Sequence, residues 1–304
     1  MSRALVVVGL LTIALGTGPA AQQAVFRTGT EVVGFGVTVT DRRGNFVTDL
    51  TPEDVEILEE GVPQAVHLFA RGDEVDTAPE LHIGLVFDTS GSMGGDIVLA
   101  RSAAVKFLNT LTDAKDMTLV DFDTEVRVSK FEQASFPRLV ERIRSRRPGG
   151  LTALYDAIGV YLTGAADDRG RKILVLFTDG GDTRSTTTFS KLVTMLRASD
   201  VTVYAVGLIE NQPMSVRGEQ KLRIAQIALE TGGEAFFPSE MKQIEDAYAK
   251  ILKQIRAQYT IGYVSTNTNQ DGRWRKVEIK VKRQDIPGPK VQARKGYFAP
   301  VAER

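Results

Sequence analysis

Asp88, Ser90 and Ser92 stand at i, i+2 and i+4, separated by Thr89 and Gly91, directly after the apolar run Leu81–Phe87. A loop can turn three such oxygen-bearing side chains toward one point. A second apolar run, Ile173–Phe177, ends in Thr178, Asp179, Gly180, Gly181 and Asp182. A third stretch, Pro148-Gly149-Gly150-Leu151-Thr152, is a glycine turn that opens a helical pattern. If the two apolar runs are neighbouring strands, two carboxylates and up to three hydroxyls meet in one crevice. Close carboxylates repel, and the repulsion either raises a pKa or recruits a cation. The donors are hard oxygens, the chain has no Cys, and His67 and His82 lie far from these loops. Such a set selects Mg²⁺, with Mn²⁺ as a substitute, over zinc or copper.

Asp88-x-Ser90-x-Ser92, then Thr152, then Asp179-Gly180, in that order, resembles the metal-ion-dependent adhesion site of von Willebrand factor type A domains. The resemblance covers roughly residues 80–256. It implies that Ser90, Ser92 and Thr152 hold the ion, and that Asp88 and Asp179 bind it directly or through water. An open coordination position then accepts an Asp or Glu carboxylate from a partner protein. The flanks, TVTDRRGNFVTDLTPEDVEILEEGVPQ and RKVEIKV…ARKGYFAP, are similar to a bacterial subfamily of von Willebrand-related proteins found in acidobacteria. Read without the resemblance, Asp-Thr-Ser-Gly-Ser is also compatible with a plain strand-to-helix turn in which Ser and Asp act as caps.

The elements that must position these residues follow from hydrophobic periodicity. Strands are predicted near 81–88, 116–123, 125–131, 171–178, 201–208 and 234–237, and helices near 96–111, 135–145, 151–166, 187–199, 219–230 and 240–256. This alternation predicts an α/β fold, a doubly wound, mostly parallel six-stranded sheet of Rossmann-like type. Only Thr124 and its neighbour Asp123 separate two of the strands, too few residues for a crossover, so that pair forms an antiparallel edge hairpin. The acidic and hydroxyl clusters fall at the carboxyl ends of strands, where ligands bind in open α/β sheets. Asp121 and Asp123 read as hairpin ends, Asp156 as a first-turn helix carboxylate, and Asp182 as a rim carboxylate. Thr186, Thr187 and Thr188 read as a loop and helix cap, and Tyr155 and Tyr161 as core.

On either side of the α/β region the text is β. Strands are expected at 32–39, 45–47, 54–58 and 64–69, and again at 258–264, 273–281, 290–294 and 296–298. Arg71-Gly72-Asp73 reads as a chance tripeptide in a linker, and Trp274 as a core or partly buried anchor, not a ligand platform. Each β segment alone is marginal for a core, but together they reach the roughly seven strands of an immunoglobulin-like sandwich. Residues 22–80 carry a net charge of 4 − 12 = −8, and residues 253–304 a net charge of 12 − 4 = +8. Opposite charge favours their packing together. The expected division is therefore a segment 24–76, an inserted α/β domain 80–256, and a segment 257–304 packing with the first. The helix near 240–256 runs almost directly into the strand at Gln258, so movement of one pulls on the other.

The chain has 304 residues and 38 basic against 38 acidic groups, which gives no electrostatic case for nucleic acid. Arg3, the apolar stretch Ala4–Leu15 and the small residues Gly18–Ala21 read as a signal peptide, 1–21, too short to span a membrane as a helix. A periplasmic or secreted location follows. There is no Gly-x-Ser-x-Gly elbow, no Cys nucleophile and no phosphate loop ending in Gly-Lys-Ser/Thr. The expected function is a metal-dependent protein-binding module, not an enzyme. A metal-assisted, phosphatase-like hydrolase at the same loop, or a metal that only steadies the loops, are the alternatives.

Overall fold

The computed structural model describes residues 32–74 and 78–302. The expected signal peptide lies outside the described residues. The chain opens with strands β1 (Val32–Thr40), β2 (Val55–Glu59), β3 (Val62–Gln64) and β4 (Val66–Arg71). Then come β5 (Leu81–Asp88), α1 (Ile97–Thr110), β6 (Asp116–Phe122), β7 (Val126–Glu132), α2 (Phe136–Ser145) and α3 (Leu154–Gly164). These are followed by β8 (Arg171–Thr178), α4 (Phe189–Ala198), β9 (Thr202–Gly207), α5 (Met214–Glu230), β10 (Ala235–Phe236) and α6 (Met241–Ala257). The chain closes with β11 (Tyr259–Val264), β12 (Trp274–Val281), β13 (Lys290–Gln292) and β14 (Gly296–Phe298).

The central sheet has the order β10-β9-β8-β5-β6-β7, parallel throughout except for the antiparallel β6–β7 edge. Every residue of β5 and of β8 is buried. These strands carry unbroken apolar runs, not an alternation, because helices cover both faces of the sheet. Ile83, Leu85 and Phe87 join α1, α2 and α6 in one core, whereas Val86, Leu174 and Leu176 join α3, α4 and α5 in the other. Gly84 makes the second face possible. A Cβ there would meet the Tyr161 ring of α3 at 2.2 Å, so only glycine lets that ring lie on the strand. The chain steps from β5 to β6 on one side and, through α3, to β8 on the other. Strand order thus reverses at β5, which opens a crevice at its carboxyl end.

The flanking segments share two sheets. Two antiparallel four-stranded sheets, β13-β1-β11-β4 and β14-β12-β2-β3, each combine strands from before and after the α/β domain. β1 pairs with β11 from Val32↔Val264 to Val37↔Tyr259, and β12 pairs with β2 from Val277↔Glu59 to Val281↔Val55. Phe35, Val37, Ile57, Ile261, Tyr263 and Val277 share the core between the sheets. The complementary charge of the two segments is partly spent in ion pairs across them, Arg275 to Glu59 at 3.2 Å and Arg283 to Asp49 at 2.9 Å.

The sandwich sits against the amino ends of the parallel strands. Arg171, the first residue of β8, donates to the carbonyls of Gly72 and Ile255, while Arg294 of the sandwich donates to those of Ser199 and Gly34. Arg71-Gly72-Asp73 belongs to this junction: Arg71 pairs with Asp73 at 3.0 Å, and the Gly72 carbonyl is one of those that Arg171 holds. Other differences from expectation are local. The strand expected at 45–47 is a single bridge, Thr40↔Phe46, because Asp41 closes a tight turn by accepting from the Arg43 and Asn45 amides. The helix expected from 219 starts at Met214, behind Pro213 as its N-cap. The strand expected at 234–237 is reduced to β10. Trp274, in keeping with a partly buried anchor, is half-buried and meets Phe298 edge-on, with ring centroids 5.1 Å apart.

Candidate metal centre

The crevice at the end of β5 is built from four loops. The first is Asp88–Asp96, whose Gly91–Gly95 portion is a short 3₁₀ turn leading into α1. The Gly91 amide donates to the Gly150 carbonyl (3.1 Å) and the Gly149 amide to the Thr89 carbonyl (2.9 Å), which fastens the Pro148–Thr152 turn across the first loop. The Thr183 and Arg184 amides both donate to the Thr152 carbonyl, tying in the loop after β8. A fourth loop, after β9, was not foreseen: Gln212 reaches back and donates to Asp179 Oδ2 (3.0 Å).

Asp88, Ser90 and Asp179 are completely buried, and Thr152 nearly so. Asp88 Oδ1 accepts the Ser90 amide (2.9 Å), and Oδ2 accepts the Thr178 hydroxyl (2.7 Å). Thr178 in turn accepts the Gly180 amide (3.0 Å), and Asp179 Oδ1 accepts the Gly181 amide (3.0 Å). Neither carboxylate has an ion-pair partner among the described residues. Burial, and then the charge of Asp179, push the Asp88 carboxyl up to about 7 against the hydrogen bonds from Ser90 and Thr178. The Ser90 and Ser92 hydroxyl oxygens lie 3.1 Å apart. Adjacent corners of an octahedron with bonds of about 2.1 Å are about 3 Å apart, so the spacing suits two neighbouring ligands of Mg²⁺. Among the described residues the Thr152 hydroxyl makes no hydrogen bond, which leaves its oxygen unspent.

The donor set therefore fits a small hard cation. Two buried carboxylates share a crevice with hydroxyls, and among the described residues no Lys or Arg neutralises them. Asp96, at the end of the same loop, adds a third acid. Its Oδ1 accepts from Asn211 (2.8 Å), and its Oδ2 is buried without a partner. Burial is the main cause that raises its pKa, with Asp179 adding to it and Asn211 opposing.

The remaining residues singled out from the sequence fall outside this cluster. Asp121 is the hub of an ion-pair network with Arg127, Arg142 and Arg146, and Asp123 pairs with Arg127. Asp156 accepts the Thr186 (2.8 Å) and Thr187 (2.9 Å) amides, so it shapes the loop after β8 instead of serving only its own helix. Thr188 caps α4 by accepting the Lys191 amide. Asp182 accepts from the Tyr155 amide and the Ser185 hydroxyl, and Tyr155 and Tyr161 are core residues. His82, Asp116 and Asp168 also bring ligand atoms within 4.8 Å of one another, at the opposite end of the sheet. There Lys130 Nζ already bonds Asp168 (2.9 Å) and Asp116 (3.2 Å), and both His82 nitrogens are engaged, by Asp116 and by the Arg169 carbonyl. That cluster is closed by the chain's own cation.

Comparison with protein families agrees with this geometry. The model of the von Willebrand factor type A domain matches residues 82–250, more than half of the chain. The chain belongs to the von Willebrand factor type A family. No curated protein matches it. Among solved structures, its type A fold is similar to that of the pilus adhesin SpaC from Lactobacillus rhamnosus GG in an open conformation. The TM-score is 0.51 at 11% identity, with 86% of this chain and 49% of that one covered. A von Willebrand factor type A protein from Catenulispora acidiphila aligns over 91% of this chain and 76% of its own, at 14% identity and a TM-score of 0.49. Proximal thread matrix protein 1 of the mussel byssus, in a structure with a zinc-occupied MIDAS motif, aligns over 64% of this chain and 48% of its own, at 18% identity and a TM-score of 0.46. At these identities the likeness concerns the fold alone.

Proposed function

We propose that this type A protein is an exported, divalent-metal-dependent protein-binding module. Its ion is Mg²⁺, with Mn²⁺ as a substitute, held by Asp88, Ser90, Ser92, Thr152 and Asp179. Bound there, the ion supplies an open coordination position for an Asp or Glu carboxylate of a partner protein. The observation that carries this reading is the pair Asp88–Asp179, buried together with no cation among the described residues to balance them. Thr178 and Ser90 orient Asp88, and Gln212 and the Gly181 amide orient Asp179, so these residues preset the donors before an ion arrives. The SpaC likeness supports an adhesive role only as far as fold goes. Among the described residues no helix is long and apolar enough to cross a membrane. The proposed division is a signal peptide over 1–21, a split β-sandwich over 24–76 and 257–304, and the type A domain over 80–256.

Two measurements test the reading. Calorimetry should show one Mg²⁺ site that Asp88→Ala removes while cooperative unfolding is kept. Capture from envelope and culture-medium proteins should yield a species that elutes with chelator. Unchanged Mg²⁺ affinity in Asp88→Ala would falsify the assignment.

A further inference from the structure

A groove of about 410 Å³ lies between α1 and α2, lined by Val98, Arg101, Ser102, Val105 and Arg144. Both helices lead into the metal loops. α1 begins one residue after Asp96, and Arg144 lies in the last turn of α2, just before the Gly149-Gly150 turn fastened to Thr89 and Gly91. Two arginines line the groove, Arg101 and Arg144. Arg144 has no ion-pair partner among the described residues, whereas Arg142 and Arg146 of the same helix are committed to Asp121. Arg101 has none either, and its Nε and Nη2 are shielded from water without any acceptor. A guanidinium short of acceptors on its own chain gains charge-assisted hydrogen bonds when an anion docks beside it. Val98, 69% exposed, adds an aliphatic wall at the groove mouth.

We propose that this groove is a second subsite, which takes an acidic side chain from the same protein segment whose carboxylate reaches the metal face. The proposal rests on the reading of that face as a carboxylate-binding site. The complementarity is direct: a segment offering one carboxylate to the ion meets Arg101 and Arg144 alongside, and guanidinium binds carboxylate in a planar fork. Reach also agrees. Arg101 stands roughly 6 Å along α1 from its first residue. An extended peptide advances about 3.3 Å per residue, so an acid about two to four residues from the metal-bound one arrives in the groove. The aliphatic parts of the intervening residues would lie on Val98 and Val105. The partner is thus a protein with two spaced acids in an extended, exposed stretch, not one with an isolated acid.

The test uses the full chain and fluorescein-labelled eight-residue peptides of Ala, Gly and Ser. One carries a single Asp, and three carry a Glu placed two, three or four residues after the Asp. Anisotropy is read with Mg²⁺ and with chelator, beside calorimetry of Mg²⁺ alone. At least one two-acid peptide should bind about 10-fold more tightly than the single-acid peptide. Arg101→Gln and Arg144→Gln should erase that gap while single-acid binding and Mg²⁺ affinity stay as they were. No gap, a gap that survives both substitutions, or equally tight binding of an eight-residue oligothymidylate would each overturn the proposal. A gap that persists in chelator, disappears in the arginine variants and accompanies no calorimetric Mg²⁺ signal would instead uphold the groove and remove the metal reading beneath it.

Discussion

Glu59 in the sandwich and Asp88 in the type A domain are carboxylates of nearly equal burial, 2% and 0% exposed, in opposite surroundings. Glu59 is surrounded by donors. Tyr263 (2.7 Å) and Tyr297 (3.0 Å) donate to Oε2, and Ser265 (2.8 Å) and Arg275 (3.2 Å) to Oε1. Burial opposes its charge, yet these four hydrogen bonds together hold its pKa below the ordinary glutamate value. Asp88 accepts from Ser90 and from the Thr178 hydroxyl, has no ion-pair partner among the described residues, and faces a second acid. The first carboxylate is completed by its own chain and knits two segments about 200 residues apart. The second is left incomplete at a strand end, in a fold whose crevice sits there. Buried charge that the protein neutralises is structure, and a buried carboxylate pair left unneutralised at a strand end is a candidate ligand site.

Substitution should separate the two. Asp88→Asn is expected to abolish Mg²⁺ binding by calorimetry while the chain still unfolds cooperatively, because removing a charge from an uncompensated pair relieves repulsion. Arg275→Met strands Glu59 and is expected to lower stability by about 3–5 kcal/mol in urea unfolding, with Mg²⁺ affinity unchanged. If instead Arg275→Met weakened Mg²⁺ binding as strongly as it weakened the fold, the two regions would not be independent. Gly84→Ala drives a methyl into the Tyr161 ring, and a loss of about 1–3 kcal/mol should be seen in the same assay. The smallest effect concerns acid. Since the folded-state pKa of Glu59 is depressed, its contribution is fully present above the unfolded-state value and fades as pH falls through the folded one. Wild type should therefore lose stability below about pH 4.5, the ordinary glutamate range. Glu59→Gln, less stable at neutral pH, should lose less over that interval, and parallel acid curves would count against this.

Much of this was legible in the residues. β5 and β8 announced themselves as continuous apolar runs because both faces are covered, and Asp88, Ser90, Ser92, Thr152 and Asp179 marked the loops that converge. Gln212 was not legible: its amide meets Asp179 across 33 residues, and nothing local to a loop glutamine signals that reach. Thr178 adjoined a known candidate, but its role lies in a bond to Asp88, 90 residues away. The same holds for the Asn211–Asp96 pair. The roles of Arg171 and Arg294 were not legible, since backbone carbonyls leave no trace in a sequence. Pro213 and Gly218 concealed the first turns of α5, being poor helix formers wherever the helix begins.

The seating of the sandwich against the amino ends of β5, β8 and β9, opposite the metal loops, has a mechanical consequence. A pull applied between the loops of the candidate metal centre and the sandwich would run lengthwise down the central strands. Hydrogen bonds between β5, β6 and β8 are then sheared together, in concert, and cannot be peeled open one after another. Only Gln258 separates α6 from β11, so there is little slack in the exit strand to absorb an extension before the sheet feels it.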